Sequence, residues 1–103
     1  MNIPDLAKQV ETVSSLYAER NGIDRTDDWF VLKINEEIGE LVQAYLNMQG
    51  QGRDRGEGAE SGKTRFENEL ADVLGHLLLL ANRFDVDMDA AVQRKWLKWL
   101  PEA

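Results

Sequence analysis

The chain has no cysteine and a single histidine. Without thiols there are no disulfides and no thiolate metal sites, although this alone does not fix the compartment. One histidine also rules out the repeated Glu-x-x-His pattern of a dinuclear iron carboxylate bundle, since only Asp72-x-x-x-His76 occurs. Long apolar runs are missing too. The longest, Leu77 to Ala81, is far too short to span a bilayer, and the opening Met-Asn-Ile-Pro-Asp lacks the basic region and apolar run of a leader. A soluble, cytoplasmic protein with no membrane partner is expected. Basic residues are scarce: 12 Lys and Arg stand against 19 Asp and Glu, a net charge of −7. No basic face can therefore displace counterions from a phosphate backbone, which argues against a nucleic-acid polymer as partner. Strand-like alternation and internal repeats are also lacking.

What remains is helical periodicity over 103 residues, the size of one domain spanning residues 1–103. The first helix is expected from Pro4, a favoured first-turn residue, to about Arg20, with Gly22 as its stop. Leu6, Val10, Val13, Leu16 and Tyr17 recur along it at helical spacing. Thr26 reads as the N-cap of a second helix, with Asp27 and Asp28 complementing its positive end, and that helix runs to about Gln49. From Gly50 to Lys63 there is no apolar residue larger than alanine, so a surface loop is expected there. The segment from Gly58 to Thr64 resembles a phosphate-binding P-loop. It is one residue short, however, with Glu57 where the first glycine should stand, and no apolar strand precedes it. Thr64 and Glu67 form a capping-box pattern that would open a third helix running to about Phe84. Its apolar face would be Phe66, Leu70, Val73, Leu74, Leu77, Ala81 and Phe84. Asp87 would cap a fourth helix ended by Pro101. The fold class is all-α, a four-helix bundle, and at this length oligomerisation often helps to complete a core.

The acidic residues are not spread evenly. At about 100° per residue, Trp29, Lys33, Glu36, Glu37, Glu40 and Asn47 fall on one side of the second helix, while Ile34, Ile38, Leu41, Val42, Tyr45 and Leu46 fall on the other. After a gap of 28 residues the third helix offers Glu69 and Asp72 at the same three-residue spacing, with His76 on the same flank. Two carboxylates about 4 Å apart repel by on the order of 4 kcal/mol at an effective dielectric of about 20. Several together need a counter-charge, and a hard divalent cation such as Mg²⁺ or Mn²⁺ prefers an all-oxygen donor set. Five of these carboxylates, Glu36, Glu37, Glu40, Glu69 and Asp72, account for much of the net negative charge.

The pattern EExxE, gap, ExxD is carried by Lys33-Ile-Asn-Glu-Glu-Ile-Gly-Glu-Leu and Glu69-Leu-Ala-Asp-Val-Leu, followed by Asp87-Met-Asp-Ala-Ala-Val-Gln-Arg-Lys. It resembles the MazG-like all-α nucleoside triphosphate pyrophosphohydrolases, a superfamily that includes phosphoribosyl-ATP pyrophosphohydrolases and dimeric dUTPases. The resemblance covers about Trp29 to Lys95. It implies a MazG-like bundle that forms a homodimer or homotetramer. It also implies Mg²⁺-dependent hydrolysis of a nucleoside triphosphate between its α and β phosphates, giving a monophosphate and pyrophosphate, as in the removal of unwanted nucleotides. By position, Glu37, Glu40, Glu69 and Asp72 would be the metal ligands, and Glu36 would hold a further metal or orient the attacking water. Lys33 would reach a substrate phosphate or pair with Glu36 or Glu37. Trp29 would stack on a base, with Tyr17 a weaker candidate for that task, and His76 would contact the base or support the ligands. Lys95 matches a lysine that approaches phosphate. The tail departs from the family pattern, because Trp96-Leu-Lys-Trp-Leu-Pro replaces the Asn and Arg that many relatives carry, and Trp96 and Trp99 are free to face another subunit. Arg53, Arg55, Lys63 and Arg65 are cations that could close over a triphosphate. Two other functions fit the same residues: phosphoribosyl-ATP hydrolysis, suggested by Asp72-Val-Leu-Gly-His76-Leu-Leu-Leu-Leu, and a non-catalytic helical module whose acidic stripe docks a basic partner.

Overall fold

The computed structural model describes residues 1–50 and 59–102. They form four α-helices in chain order, α1 (Ile3–Asn21), α2 (Asp27–Met48), α3 (Ala59–Arg83) and α4 (Met88–Lys95), followed by a 3-10 turn, Leu97–Trp99. No strand occurs among the described residues, and none of their helices is long and apolar enough to cross a membrane.

Local chemistry sets most of the boundaries. The Asn2 side chain accepts from the Asp5 amide and caps α1, while Gly22 ends it in the left-handed conformation at φ 64°. The Ile23 amide then donates back to the Ala18 carbonyl at 2.9 Å, which closes a Schellman-type turn. Thr26 caps α2 by accepting from the Trp29 amide at 3.1 Å, and Asp87 caps α4 by accepting from Ala90 at 3.1 Å.

Two boundaries differ from the sequence expectation. α3 begins at Ala59, so Thr64 lies inside the helix rather than capping it. The extra turn rests on α2, where Gly62 lies against Met48. Such packing stabilises a turn whose own composition does not favour it. The rest of the expected loop falls on residues 51–58, outside the described residues. The P-loop-like segment has Ala59 to Thr64 in helix, and no strand occurs among the described residues to supply the strand–loop–helix context that motif needs. At the other end α4 stops at Lys95, and the tail tightens into the 3-10 turn well before Pro101.

α2 and α3 pair as an antiparallel hairpin. Met48 meets Gly62 at one end, and Asp27 accepts from Arg83 Nε at 2.7 Å at the other. α1 runs antiparallel to α3, with Val10 against Gly75 and the Ala7 carbonyl accepting from the Asn82 amide at 2.9 Å. Arg25, between α1 and α2, is paired with Glu11 at 2.6 Å. Its guanidinium and that of Arg83 both lie against the buried Phe30 ring, at 5.2 and 5.3 Å from the centroid. α4 makes its main contacts with its own 3-10 turn rather than with the hairpin.

The helices are rotated relative to the expected faces. α2 buries Phe30, Glu37 and Ala44, and α3 buries Leu78, Leu79 and Ala81. Of the apolar face expected on α3, only Ala81 is buried, while Leu70, Leu74, Leu77 and Phe84 are exposed. On α2, Ile38, Val42 and Tyr45 are likewise exposed, and Glu37 occupies the packing seam. A two-sided pattern for each helix is thus corrected to three faces: an interhelical seam, an acidic flank, and an apolar stripe that no other described residue covers.

Candidate functional site

Glu37 and Glu40 are one turn apart on α2 and so project from neighbouring positions, while α3 brings Glu69 up from the facing helix. One carboxylate oxygen from each of the three lies within 4.8 Å of the others. Glu40 is exposed and Glu69 half-buried, but Glu37 is only 8 % exposed. The Oε2 atoms of both Glu37 and Glu69 are shielded from solvent and have no hydrogen-bond partner. Buried polar atoms are nearly always paired, and leaving one unpaired costs roughly 1–3 kcal/mol, more when it carries charge.

The electrostatics follow from this geometry. Burial, then the negative charges of Glu40 and Asp72, push the Glu37 carboxyl up from 4.5 to about 7. Burial and the same two neighbours raise Glu69, against the opposing pull of the Arg65 guanidinium. His76 moves the other way, because burial and the nearby Lys33 ammonium favour neutral imidazole over the opposing pull of Asp72 and Glu36. Its Nε2 lies 3.7 Å from Glu37 Oε1, too far for a hydrogen bond, and its Nδ1 is buried without a partner.

The carboxylates stand between two cavities. The larger, about 650 Å³, opens between α1 and the hairpin, and Tyr17, Trp29, Lys33, Glu37, Asp72 and His76 are among its lining residues. The Trp29 and His76 rings meet edge-on with centroids 6.0 Å apart, and the Lys33 ammonium sits 5.9 Å from the Trp29 centroid and 3.3 Å from Glu36. The smaller cavity, about 400 Å³, is lined by Glu36, Gly39, Glu40, Gln43, Arg65 and Glu69.

Of the residues singled out in the sequence, Glu37, Glu40 and Glu69 converge. Asp72 lies outside that tight group and on the larger cavity, close enough for its charge to bear on Glu37 and Glu69. Glu36 lines the smaller cavity, and Trp29, Lys33, Tyr17 and His76 the larger. Lys95 is exposed on α4 and lines neither cavity, and neither does Lys63. Arg53 and Arg55 lie outside the described residues. Arg65 belongs to the wall of the smaller cavity and is part of α3 rather than of a closing loop. Gln43 went unnoticed in the sequence, although it follows Glu40 by one turn on the same flank.

An all-oxygen set of three converging carboxylates, two with orphaned buried oxygens, fits a hard divalent cation. The residues that could hold one are Glu37, Glu40 and Glu69. No family model, curated protein or solved structure matches the chain.

Proposed function

We propose that the protein is a divalent-cation-dependent nucleotide pyrophosphohydrolase of the MazG-like kind, cleaving a nucleoside triphosphate between its α and β phosphates to a monophosphate and pyrophosphate. The observation that carries this reading is the buried Glu37 carboxylate with its unpaired Oε2, set beside Glu40 and Glu69 between a cavity with aromatic walls and a polar one. Glu37, Glu40 and Glu69 hold the cation, with Asp72 at the margin. Mg²⁺ or Mn²⁺ bound there supplies charge neutralisation for phosphate oxygens and acidifies water. Positioning and electrostatics of this kind do most of the work in phosphoryl chemistry, so no side-chain nucleophile is required.

The surrounding residues bind and orient. Trp29 offers an indole face to a base, with His76, kept neutral, beside it. Lys33, held between Glu36 and the Trp29 ring, meets phosphate oxygens as a point charge, and Glu36 orients the attacking water. A homodimer or homotetramer covers the apolar stripe of Ile38, Val42, Tyr45, Leu70, Leu74 and Leu77, and Lys95 approaches phosphate only if a second copy brings it there. The role is removal of unwanted nucleotides in the cytoplasm.

The test is a pyrophosphate-release screen over canonical, deoxy and damaged nucleoside triphosphates and phosphoribosyl-ATP, each with Mg²⁺ and with Mn²⁺. Release from at least one ordinary triphosphate is expected. Preference for phosphoribosyl-ATP would move the substrate assignment within the same chemistry. Cation binding with no turnover of any substrate would overturn the enzyme reading in favour of an acidic interaction module.

A further inference from the structure

The two cavities differ in chemistry, and the difference gives the site a direction. Apolar and aromatic side chains, including Val10, Val13, Tyr17, Ile23 and Trp29, line the larger one. Among the described residues, the smaller is lined by no aromatic or aliphatic side chain, and Arg65 is the one cation on its wall. α2 runs past both: Trp29, Lys33 and Glu37 border the first, and Glu36, Glu40 and Gln43 the second. At 1.5 Å per residue, Lys33 to Gln43 spans about 15 Å, enough for an extended triphosphate.

Arg65 is not paired as its position suggests. Glu69 is one turn away on the same helix, yet no ion pair joins them among the described residues, and Arg65 Nη1 is shielded from solvent without a hydrogen-bond partner. Arg65 lines the polar cavity, and a guanidinium with an unsatisfied donor suits the oxygens of a phosphate, which it can grip through two parallel N–H bonds.

Resting on the hydrolase reading above, we propose that Arg65 binds the β and γ phosphates of the substrate, and then the pyrophosphate product, in the smaller cavity, while the nucleoside half occupies the larger one. The bond between the α and β phosphates then lies over Glu36, Glu37 and Glu40. Gln43 supplies a neutral donor at the far end of the pyrophosphate half. No bond to Arg65 forms or breaks. It is a binding residue, and it sets which end of the triphosphate points which way.

Equilibrium binding tests this without turnover. Titration calorimetry with inorganic pyrophosphate plus Mg²⁺, with AMP plus Mg²⁺, and with Mg²⁺ alone would be run on the wild type, Arg65→Gln and Arg65→Lys. The expected result is a loss of about tenfold or more in pyrophosphate affinity for Arg65→Gln, the scale of a charged hydrogen bond, with AMP affinity within about twofold of wild type. Arg65→Lys, which keeps the charge but loses the fork, falls between. If Arg65 only offsets the acidic cluster, Arg65→Gln will tighten Mg²⁺ and leave pyrophosphate unchanged, and the proposal is overturned. Equal losses for pyrophosphate and AMP, or no pyrophosphate binding by the wild type, overturn it as well. Failure of the hydrolase reading would appear separately, as absent turnover in the substrate screen.

Discussion

The two long edges of the α2–α3 hairpin are built the wrong way round for an isolated chain. On one, a carboxylate is 8 % exposed and has an oxygen with no partner. On the other, Leu74 is 47 % exposed and Val42 48 %, in line with Ile38, Tyr45, Leu70 and Leu77. Burying a leucine contributes roughly 1.5–3 kcal/mol, whereas burying an unpaired charge costs more than that. A chain folding only for its own stability would exchange the two. Each edge makes sense if something outside the chain completes it: a cation and substrate on the acidic edge, apolar surface from another copy on the other.

The sharpest way to break the contrast is at Glu37. Glu37→Gln is expected to lower pyrophosphate release by a factor of about a hundred or more, since it removes one of the three carboxylates proposed to hold the cation. Metal-free melting will stay level or rise, because an unpaired buried charge and its repulsion with Glu40 are gone. A variant with wild-type turnover would sink the ligand assignment. On the opposite edge, Leu74→Glu places a charge in the stripe. Expected is a shift to monomer in size-exclusion chromatography with light scattering and a change of less than about 1 kcal/mol in monomer stability, the usual range for an exposed position. An unchanged mass would leave the stripe unexplained.

A smaller effect follows from protonation. The folded Glu37 carboxyl titrates near 7 against 4.5 for an ordinary one, so the folded chain holds more protons over that range. Its contribution to stability is fully present below about 4.5 and is lost as pH rises towards 7. Glu69, raised as well, acts in the same direction. His76, lowered by burial, acts oppositely below 6.5. Urea midpoints in chelator at pH 5 and pH 7.5 check the sign: the wild type will be less stable at the higher pH, Glu37→Gln will show a weaker dependence, and Mg²⁺ will offset the loss by binding the ionised carboxylates. Least affected of all will be Lys95→Ala, with less than about a twofold change in kcat/KM, the scale expected where a side chain meets no site residue in its own chain. A tenfold loss would mean that a second copy delivers Lys95 to the site.

Much of the helical layout was legible because caps are local. Gly22, Thr26 and Asp87 act through bonds to residues within a few positions, and Pro4 through its fixed φ in the first turn, so their meaning does not depend on what the helix packs against. That Glu37 and Glu40 share a flank was legible for a similar reason, since a three-residue spacing fixes it within one helix, whereas their meeting with Glu69 depends on packing, and Asp72, expected in the same set, lies outside the tight group. Rotation about the helix axis was not. Whether Glu37 or Ile38 enters the seam depends on how α2 meets α3, and a helix with apolar residues on two flanks permits either choice. The first turn of α3 was hidden because glycine and charge read as loop, while the contact of Gly62 with Met48 exists only once the hairpin has formed.

α1 is held to the hairpin by small side chains such as Ala7, by Val10 against Gly75, by the single Asn82 amide and by the Arg25–Glu11 pair. It is therefore a wall with few fastenings, and it is the wall of the larger cavity. Local opening takes weakly anchored elements before the core, so after those of α4 the amide hydrogens of α1 will exchange ahead of those in the middle of α2 and α3. Any occupant of that chamber gains part of its grip by pinning the helix in place, and slower exchange in α1 on adding a nucleotide would report its arrival.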